Sequence, residues 1–454
     1  MPHTDKSARA SSSRVIDRIR PANKAKFPAG VMAGDARPRR VVLWTKYTGR
    51  KRRLTVRLQR RGVRGTLRTR DVPAKVKKGG FVHVDVPNLR PRTLYKYVFL
   101  ERSAAGVVRS PVGHFRTAIP VRGPHALDTV VFGGTSCTGR RARATHRLLR
   151  HAARKRARLS FFLHAGDQVY CDKPREVKDI QGYRDRYERA FSAPGLAALH
   201  AAFGMYATWD DHEVVDNWGR YDLRSMPPRR RAERKKQIKV GKQSFFDHQP
   251  IQRRSRSARK LYRKFQWGRT LELFVLDGRS ERRVAQGKYI SDEQMKWLID
   301  GLQNSTAKFK FILNSCPIGH FTQEIDDWRK QDDRWAAYPG QRDPILEVAQ
   351  RVGGVWWLSG DFHFGTVGRV EAMRYPEVRE VLMGSSGSGL GGTERRRDVG
   401  SLNPPSPNDK DTQWQFATHE HNYVEIKADP RRERLDIYFY GGSRLLRHLW
   451  YPLR

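Results

Sequence analysis

The chain has 454 residues and carries 90 Lys and Arg against 46 Asp and Glu, a formal net charge of +44. That length excludes a stapled miniprotein and leaves room for two domains and a large core, and the three cysteines exclude a disulfide framework. The charge describes either a field that attracts polyanions, whether nucleic acid, an anionic envelope polymer or a phosphate-rich substrate, or a solvated arginine-rich surface.

Residues 1–26 are polar and basic and read as a flexible tail. They hold no apolar run of the kind a secretory signal needs. No stretch approaches the ~20 apolar residues of a membrane span. As it stands the sequence reads as cytoplasmic, unless a leader is missing from it. From 27 to 120, short alternating runs at 41–45, 54–58, 81–86 and 94–99 are separated by turn residues with no helical period between them, which predicts a small antiparallel β-sandwich. Residues 120–124 read as a linker.

From 125 to 454 the texture is α/β. Helices are expected over 143–157 and 291–302, the second capped by Ser291 with Gln294 at the reciprocal capping position. Alternation of strands and helices predicts a mostly parallel sheet flanked by helices. Between 220 and 264, seventeen Lys and Arg face three acids, Asp222, Glu233 and Asp247, in a partly helical stretch broken at Pro227-Pro228 and Pro250. Segments 384–392 and 403–407 are Gly-, Ser- and Pro-rich loops.

Five apolar, strand-like runs break off into metal-binding side chains. Run 130–134 leads to Ser136 and Cys137, 161–163 to Asp167 and Tyr170, 205–209 to Asp210-Asp211-His212-Glu213, 309–313 to Asn314, and 355–359 to Asp361 and His363. The carboxyl ends of strands in an open α/β sheet share one crevice, so these groups can converge on one centre. Taken singly each has a plainer reading: Gly166-Asp167 as a turn, His363 as a hydrogen-bonded histidine, the Asp210–Glu213 acids as surface charge. Five coincidences at strand ends favour a metal site.

The segments 132–137 (Phe-Gly-Gly-Thr-Ser-Cys), 166–172 (Gly-Asp-Gln-Val-Tyr-Cys-Asp), 209–213 (Trp-Asp-Asp-His-Glu) and 358–363 (Leu-Ser-Gly-Asp-Phe-His) resemble the successive signatures of the PhoD-like alkaline phosphatases of the calcineurin-like metallophosphoesterase superfamily. The resemblance continues through 261–268, 276–280 and 294–298, and reaches the family's opening at 27–35. It implies a fibronectin type III-like N-terminal domain over 27–120, then a metallophosphatase core of β-sheets flanked by helices over 125–454. It also implies hydrolysis of phosphomonoesters or phosphodiesters at a centre holding Fe(3+) and Ca(2+), with Mn, Zn, Mg or Co as other choices.

By position, Cys137, Asp167 and Tyr170 would bind the redox-capable ion, with Asp361 or His363 completing its shell. Thiolate and phenolate suit ferric iron better than magnesium or calcium. Asp167 would bridge, Asp211 and Asn314 would hold the second ion, and His212 would contact the phosphoryl group or the leaving oxygen. Arg279 reads equally as a contact to substrate phosphate and as an ion-pair partner of Asp277. The chain departs from the family pattern in lacking a leader, in having Cys316 and His320 after Asn314, and in having Asp216-Asn217 where paired asparagines are common; Asn217 reads as a support rather than a ligand. Expected partners are a phosphate ester and a polyanion, with no membrane span and a monomeric state favoured. The competing reading is a polyanion- or nucleic-acid-binding protein on a phosphatase scaffold, which leaves the five strand-end clusters without a purpose.

Overall fold

The computed structural model describes residues 15–19, 21–62, 66–104, 106–139, 142–172, 175–219, 223–252, 260–321, 333–391, 393–403 and 413–453. Most of the expected N-terminal tail, positions 220–222 and 253–259 of the basic stretch, and positions 404–407 of the second Pro-rich loop lie outside them. The N-terminal part contains β1 (Val31–Arg37), β2 (Arg40–Lys46), β3 (Arg53–Arg61), β4 (Leu67–Lys75), β5 (Phe81–Val86), β6 (Leu94–Ser103), β7 (Gly106–Arg109) and β8 (Gly113–Arg116).

The core follows with β9 (Val130–Thr135), α1 (Ala142–Arg154), β10 (Phe162–Ala165), α2 (Ile180–Ser192), α3 (Pro194–Ala202), β11 (Gly204–Thr208), α4 (Pro228–His248), β12 (Arg263–Trp267), β13 (Leu271–Val275), α5 (Asp292–Gln303) and β14 (Phe309–Leu313). It ends with α6 (Pro339–Val352), β15 (Val355–Ser359), β16 (Gly365–Glu371), β17 (Tyr375–Leu382), α7 (Thr393–Ser401), β18 (Trp414–Thr418), β19 (Tyr423–Asp429), β20 (Arg434–Gly441) and β21 (Arg444–Pro452). Among the described residues no helix is long and apolar enough to cross a membrane.

The N-terminal sandwich forms, and one of its two sheets is shared. A five-stranded sheet of β4-β3-β6-β7, with β8 on β6, makes one layer. The other layer is β1-β2-β5, which continues a nine-stranded sheet ordered β21-β20-β19-β9-β10-β11-β1-β2-β5. β1 joins β11 in parallel, Ala33 opposite Gly204. The period-2 alternation of strands explains the packing: Leu54, Val56 and Leu58, Tyr95, Tyr97 and Phe99 face Val41, Leu43, Val82, Val84 and Val86 in one apolar cluster. Trp44 and Met32 point the other way, into the layer under the helices.

A second sheet of seven strands runs β12-β13-β14-β15-β17-β16-β18, parallel from β13 through β17. It stacks on the first through Phe132, Phe161, Phe309, Phe311 and Leu358, with the Phe132 and Phe311 rings edge to face at 5.1 Å. Each such aromatic contributes about 1.5–3 kcal/mol by leaving water. Helices α1–α4 cover the outer face of the first sheet, and α5 and α6 that of the second.

The expected helix at 291–302 forms with Ser291 as its cap, accepting the Gln294 N–H at 3.1 Å. Gln294 does not reciprocate. Its amide spans to the backbone N–H and C=O of Asp277, while the Glu281 carboxylate takes the Ser291 hydroxyl at 2.5 Å. The helix is thereby tied to the end of β13, next to the strand-end crevice.

The shared sheet has a testable consequence. A fragment beginning at residue 121 would leave the β11 edge unpaired and strip the apolar cover from Tyr206 and Phe265, an arrangement that favours aggregation. That fragment is expected to be insoluble or to lose its near-UV circular dichroism. A soluble monomer with the parent spectrum would show that the sandwich is dispensable for the core.

Candidate metal centre

Three ligand-bearing side chains occupy the same place relative to their strands. Cys137, Asp167 and Asp361 each stand two residues beyond the end of β9, β10 and β15, and each has positive φ, 47°, 58° and 63°. His363 does too, at 62°. Left-handed conformations cost non-glycine residues roughly 1–3 kcal/mol and persist only where surrounding structure enforces them. Here the ladders continue past the strands: the Cys137 N–H donates to Gly166 O, Thr138 N–H to Asp167 O, and Gly360 N–H to Ser315 O. The turns therefore throw each side chain back over the sheet edge.

The ends of the two sheets meet. A Cβ on Gly360, after β15, would lie 2.5 Å from Ser136 Cβ, after β9, and one on Gly166 would lie 2.6 Å from Asp210 Cβ. Thr208 Oγ1 donates to Leu276 O at 2.7 Å, and Trp209 Nε1 to Asp277 Oδ1 at 2.8 Å, both across the gap between sheets.

Asp167 is the hub. Its Oδ2 takes the Tyr170 hydroxyl at 3.1 Å and lies 3.7 Å from Cys137 Sγ, while Oδ1 takes the His212 N–H at 3.3 Å. Ligand atoms of Cys137, Asp167 and His363 lie within 4.8 Å of one another, and so do those of Asp167, Asp211 and His212, and of Asp210, Cys316 and Asp361. Asp167 thus belongs to two adjoining clusters, and Asp361 and His363 connect its side of the crevice to the third.

Around them, further groups fix orientation. Asp172 bonds His212 Nδ1 at 2.7 Å. Glu213 accepts the backbone N–H groups of Asp167, Gln168 and Asp210 at 3.0, 2.6 and 2.9 Å. The Asn217 N–H holds Asp211 Oδ2 at 2.6 Å. Ser388, from the Gly- and Ser-rich loop, meets the Tyr170 hydroxyl. Arg279 donates from Nε to Asp210 Oδ1 at 2.6 Å and from Nη1 to Asp333 Oδ1 at 2.5 Å, with Nη2 3.3 Å from Cys316 Sγ.

Burial pushes the Asp167 carboxyl well above the usual carboxylate range, and Asp211, Asp210 and Glu213 push it further, opposed by His212. Burial also raises the Cys137 thiol and the Tyr170 phenol, Asp167 adding to both, and raises Asp210 despite Arg279. Glu213 is pushed up to about 7 by burial, against its three backbone donors. For His212 burial acts downward, but Asp211, Asp167 and Asp172 outweigh it and hold the imidazole well above its ordinary value. Asp210 Oδ2 and Asn314 Oδ1 are buried acceptors with no hydrogen-bond partner, which buried polar atoms rarely lack. Multivalent cations relieve both conditions at once, and the donor set of thiol, phenol, imidazole and carboxylates fits them.

The expected residues fall as follows. Cys137, Asp167, Tyr170 and His363 come together; Asp211 and His212 adjoin them through Asp167. Asp361 lies with Asp210 and Cys316, and Asn314 beside them, its Nδ2 donating to Cys316 O at 2.5 Å. Arg279 is wholly buried and holds Asp210 and Asp333. Its ion pair is therefore not with Asp277, whose carboxylate caps the turn through the Arg279 and Ser280 N–H groups. Sequence reasoning missed Asp172, Ser388 and Asp333 as supports. Only Asp172 carried a signal, as the last residue of the 166–172 segment.

Residues 131–437 match the PhoD-like phosphatase family, and residues 10–119 match the N-terminal domain of PhoD-like phosphatases. Alkaline phosphatase D of Bacillus subtilis (strain 168) is 25% identical over 481 aligned positions, which span 90% of this chain and 77% of that protein. A solved structure of PhoD superposes with a TM-score of 0.74 at 21% identity, covering 96% of this chain and 93% of that one. Purple acid phosphatase PPD1 from yellow lupin (Lupinus luteus) seeds superposes with a TM-score of 0.62 at 12% identity, covering 93% and 73%. The two superpositions are a likeness of fold.

The close approach at Gly166, where φ is 94°, makes Gly166→Ala a sensitive probe. A methyl there must displace the Asp210 backbone and adopt a conformation costing about 1–3 kcal/mol. The variant is expected to melt several degrees lower and to bind less metal. Unchanged melting and metal content would mean that the loop relaxes freely and that its geometry is not enforced.

Proposed function

The chain belongs to the PhoD-like phosphatase family and is a hydrolase of phosphate esters, and on that premise we propose that it cleaves phosphodiesters, phosphomonoesters or both at a centre of two or more metal ions, with Asp167 as the residue that would hold two of them in common. The observation that carries this reading is the position of Asp167, whose two oxygens face separate ligand clusters. Cys137, Tyr170 and His363 with Asp167 form the side suited to Fe(3+), because thiolate and phenolate favour a redox-capable ion. Asp211 with Asp167 offers carboxylate oxygens suited to Ca(2+), and Mn, Zn, Mg or Co are the alternatives that elemental analysis separates. Asp210, Cys316, Asp361 and Asn314 extend the donor set on the far side.

When bound, such ions neutralise phosphate charge and make a bound water nucleophilic at neutral pH. The chain's own residues do the positioning. Asp172 takes His212 Nδ1, leaving Nε2 to carry the proton for the leaving oxygen, the usual division of labour of a histidine oriented by a carboxylate. Glu213 ties two loops together through the N–H groups of Asp167, Gln168 and Asp210, so Asp167 and Asp210 keep their places relative to each other. Arg279 acts as a positioning residue for Asp210, not as a contact to substrate.

Two outcomes test this. Asp167→Ala is expected to lose at least one equivalent of metal and to reduce kcat by three orders of magnitude or more while keeping its far-UV circular dichroism. Wild-type turnover of p-nitrophenyl phosphate that survives exhaustive metal stripping would sink the reading.

Iron-replete, air-oxidised protein is expected to be coloured by charge transfer from Cys137 and Tyr170. Cys137→Ser and Tyr170→Phe should shift or abolish the band, and Cys316→Ser, in the other cluster, should leave it in place. Colourless ferric protein, or a band indifferent to the first two substitutions, would assign Cys137 and Tyr170 structural roles.

A further inference from the structure

A carboxylate that binds no ligand group stands beneath the loop that follows β14. Glu380, on β17, is wholly buried and shares a face of its strand with Val378 and Leu382, which are buried too. An apolar side chain would suit that face, and a carboxylate there is costly unless donors surround it. Glu380 has donors on both oxygens. Its Oε1 accepts the Ile318 N–H at 3.0 Å and the Ser359 hydroxyl at 2.5 Å, and its Oε2 accepts the Gly319 N–H at 2.9 Å. Burial raises the carboxyl, and these donors, with the charge of Arg342, act against the rise.

The donors come from two segments, and each segment carries a candidate ligand. Residues 314–319 form neither a strand nor a helix, so their buried backbone groups need partners from elsewhere. Glu380 takes two of the N–H groups, and Arg342 Nε donates to Ile318 O at 2.8 Å. Asn314 opens this loop, with Nδ2 on Cys316 O. Ser359 ends β15, two residues before Asp361, whose φ of 63° needs enforcement by its surroundings. A second tie, from the Gly360 N–H to Ser315 O at 2.7 Å, joins the same two segments. Glu213 gathers the loops of Asp167 and Asp210 in the first sheet; Glu380 does this for the second.

We infer that Glu380 is the positioning residue for the Asn314 and Asp361 side of the centre, holding the loop of one and the turn of the other at a fixed separation. The inference rests on the reading of the Asp167 cluster as a metal centre, and it assigns control of the far side to a strand that supplies no ligand. Loss of Glu380 should therefore weaken one ion and spare the other.

The test titrates Ca(2+) calorimetrically into the iron-loaded full chain. Glu380→Gln keeps the side chain's size but sets an amide NH2 where one carboxylate oxygen accepts, so at least one of the bonds is lost. Its Ca(2+) affinity is expected to fall tenfold or more, with iron content and the ferric absorption band as in wild type. Ser359→Ala, which removes one bond and leaves the carboxylate, should weaken Ca(2+) by a smaller factor, and it decides the matter if Glu380→Gln does not fold. Val378→Ala, on the same face of β17, should melt lower while its Ca(2+) affinity stays within twofold of wild type. Unchanged Ca(2+) binding in both Glu380→Gln and Ser359→Ala, equal loss of iron and Ca(2+), or a loss in Val378→Ala as large as that in Glu380→Gln overturns the inference while leaving the metal centre standing. A wild-type chain that binds neither ion overturns the metal-centre reading, and this inference with it.

Discussion

Placing Asp167, Asp210, Asp211 and Glu213 in one buried crevice is the constraint on which the rest of the site depends. Buried carboxylates that face one another cannot all stay ionised without compensating charge. The protein supplies compensation unevenly. Glu213 receives three backbone donors and Asp210 receives Arg279. Asp167 receives a phenol, a thiol, one long backbone contact and the opposing field of His212, and these still leave its carboxyl well above the usual range. The shortfall is therefore greatest at the residue shared between clusters, where a bridging cation would do most to remove it.

The scaffold makes that shortfall tolerable by rigidity. Ligands in left-handed conformations need neighbours that hold them, and the neighbours here are the loops of adjacent strands and, at Gly360, a loop of the other sheet. Gly166 and Gly360 permit backbone approaches that any Cβ would forbid. The shared sheet adds to this: because β1 pairs with β11, the strand leading to Asp210 is an interior strand, flanked on both sides. The N-terminal sandwich thus stiffens the site without contributing a side chain to the ligand clusters.

Much of this was legible before any coordinates, and the misses share one cause. The five strand ends could be read because buried parallel strands are continuous apolar runs and their ligands follow within a few residues. Strand β1 could not, because Ala33, Gly34 and Asp35 have poor strand propensity; its conformation comes from pairing with β11 on one side and β2 on the other, with Pro250 packed against Gly34. Strand β4 is a mostly exposed, polar edge, and nothing apolar marks it. Arg279 was weighed against Asp277, two residues away, whereas its real partners are Asp210 and Asp333. Gln294 was placed in a local capping motif, whereas it bridges to Asp277. Local reasoning finds residues that face the crevice, and it misassigns the groups that hold them, since those choose partners by tertiary position.

The acidic crevice also gives meaning to the basic chain around it. A cluster of carboxylates repels an approaching phosphate unless cations stand between them, and a net charge of +44 raises the local concentration of anions over the whole surface without distinguishing among them. Selectivity needs cations at fixed distances from the reacting phosphorus. Among the described residues of the basic stretch, Arg229 at the start of α4 projects into solvent, whereas Arg234 and Lys242 line a cavity together with the turn at 280–286. Surface charge falls off within a Debye length of about 8 Å at physiological salt. Charges enclosed by protein are screened far less, so fixed charge within a site, rather than the general field, is the kind able to discriminate among anions.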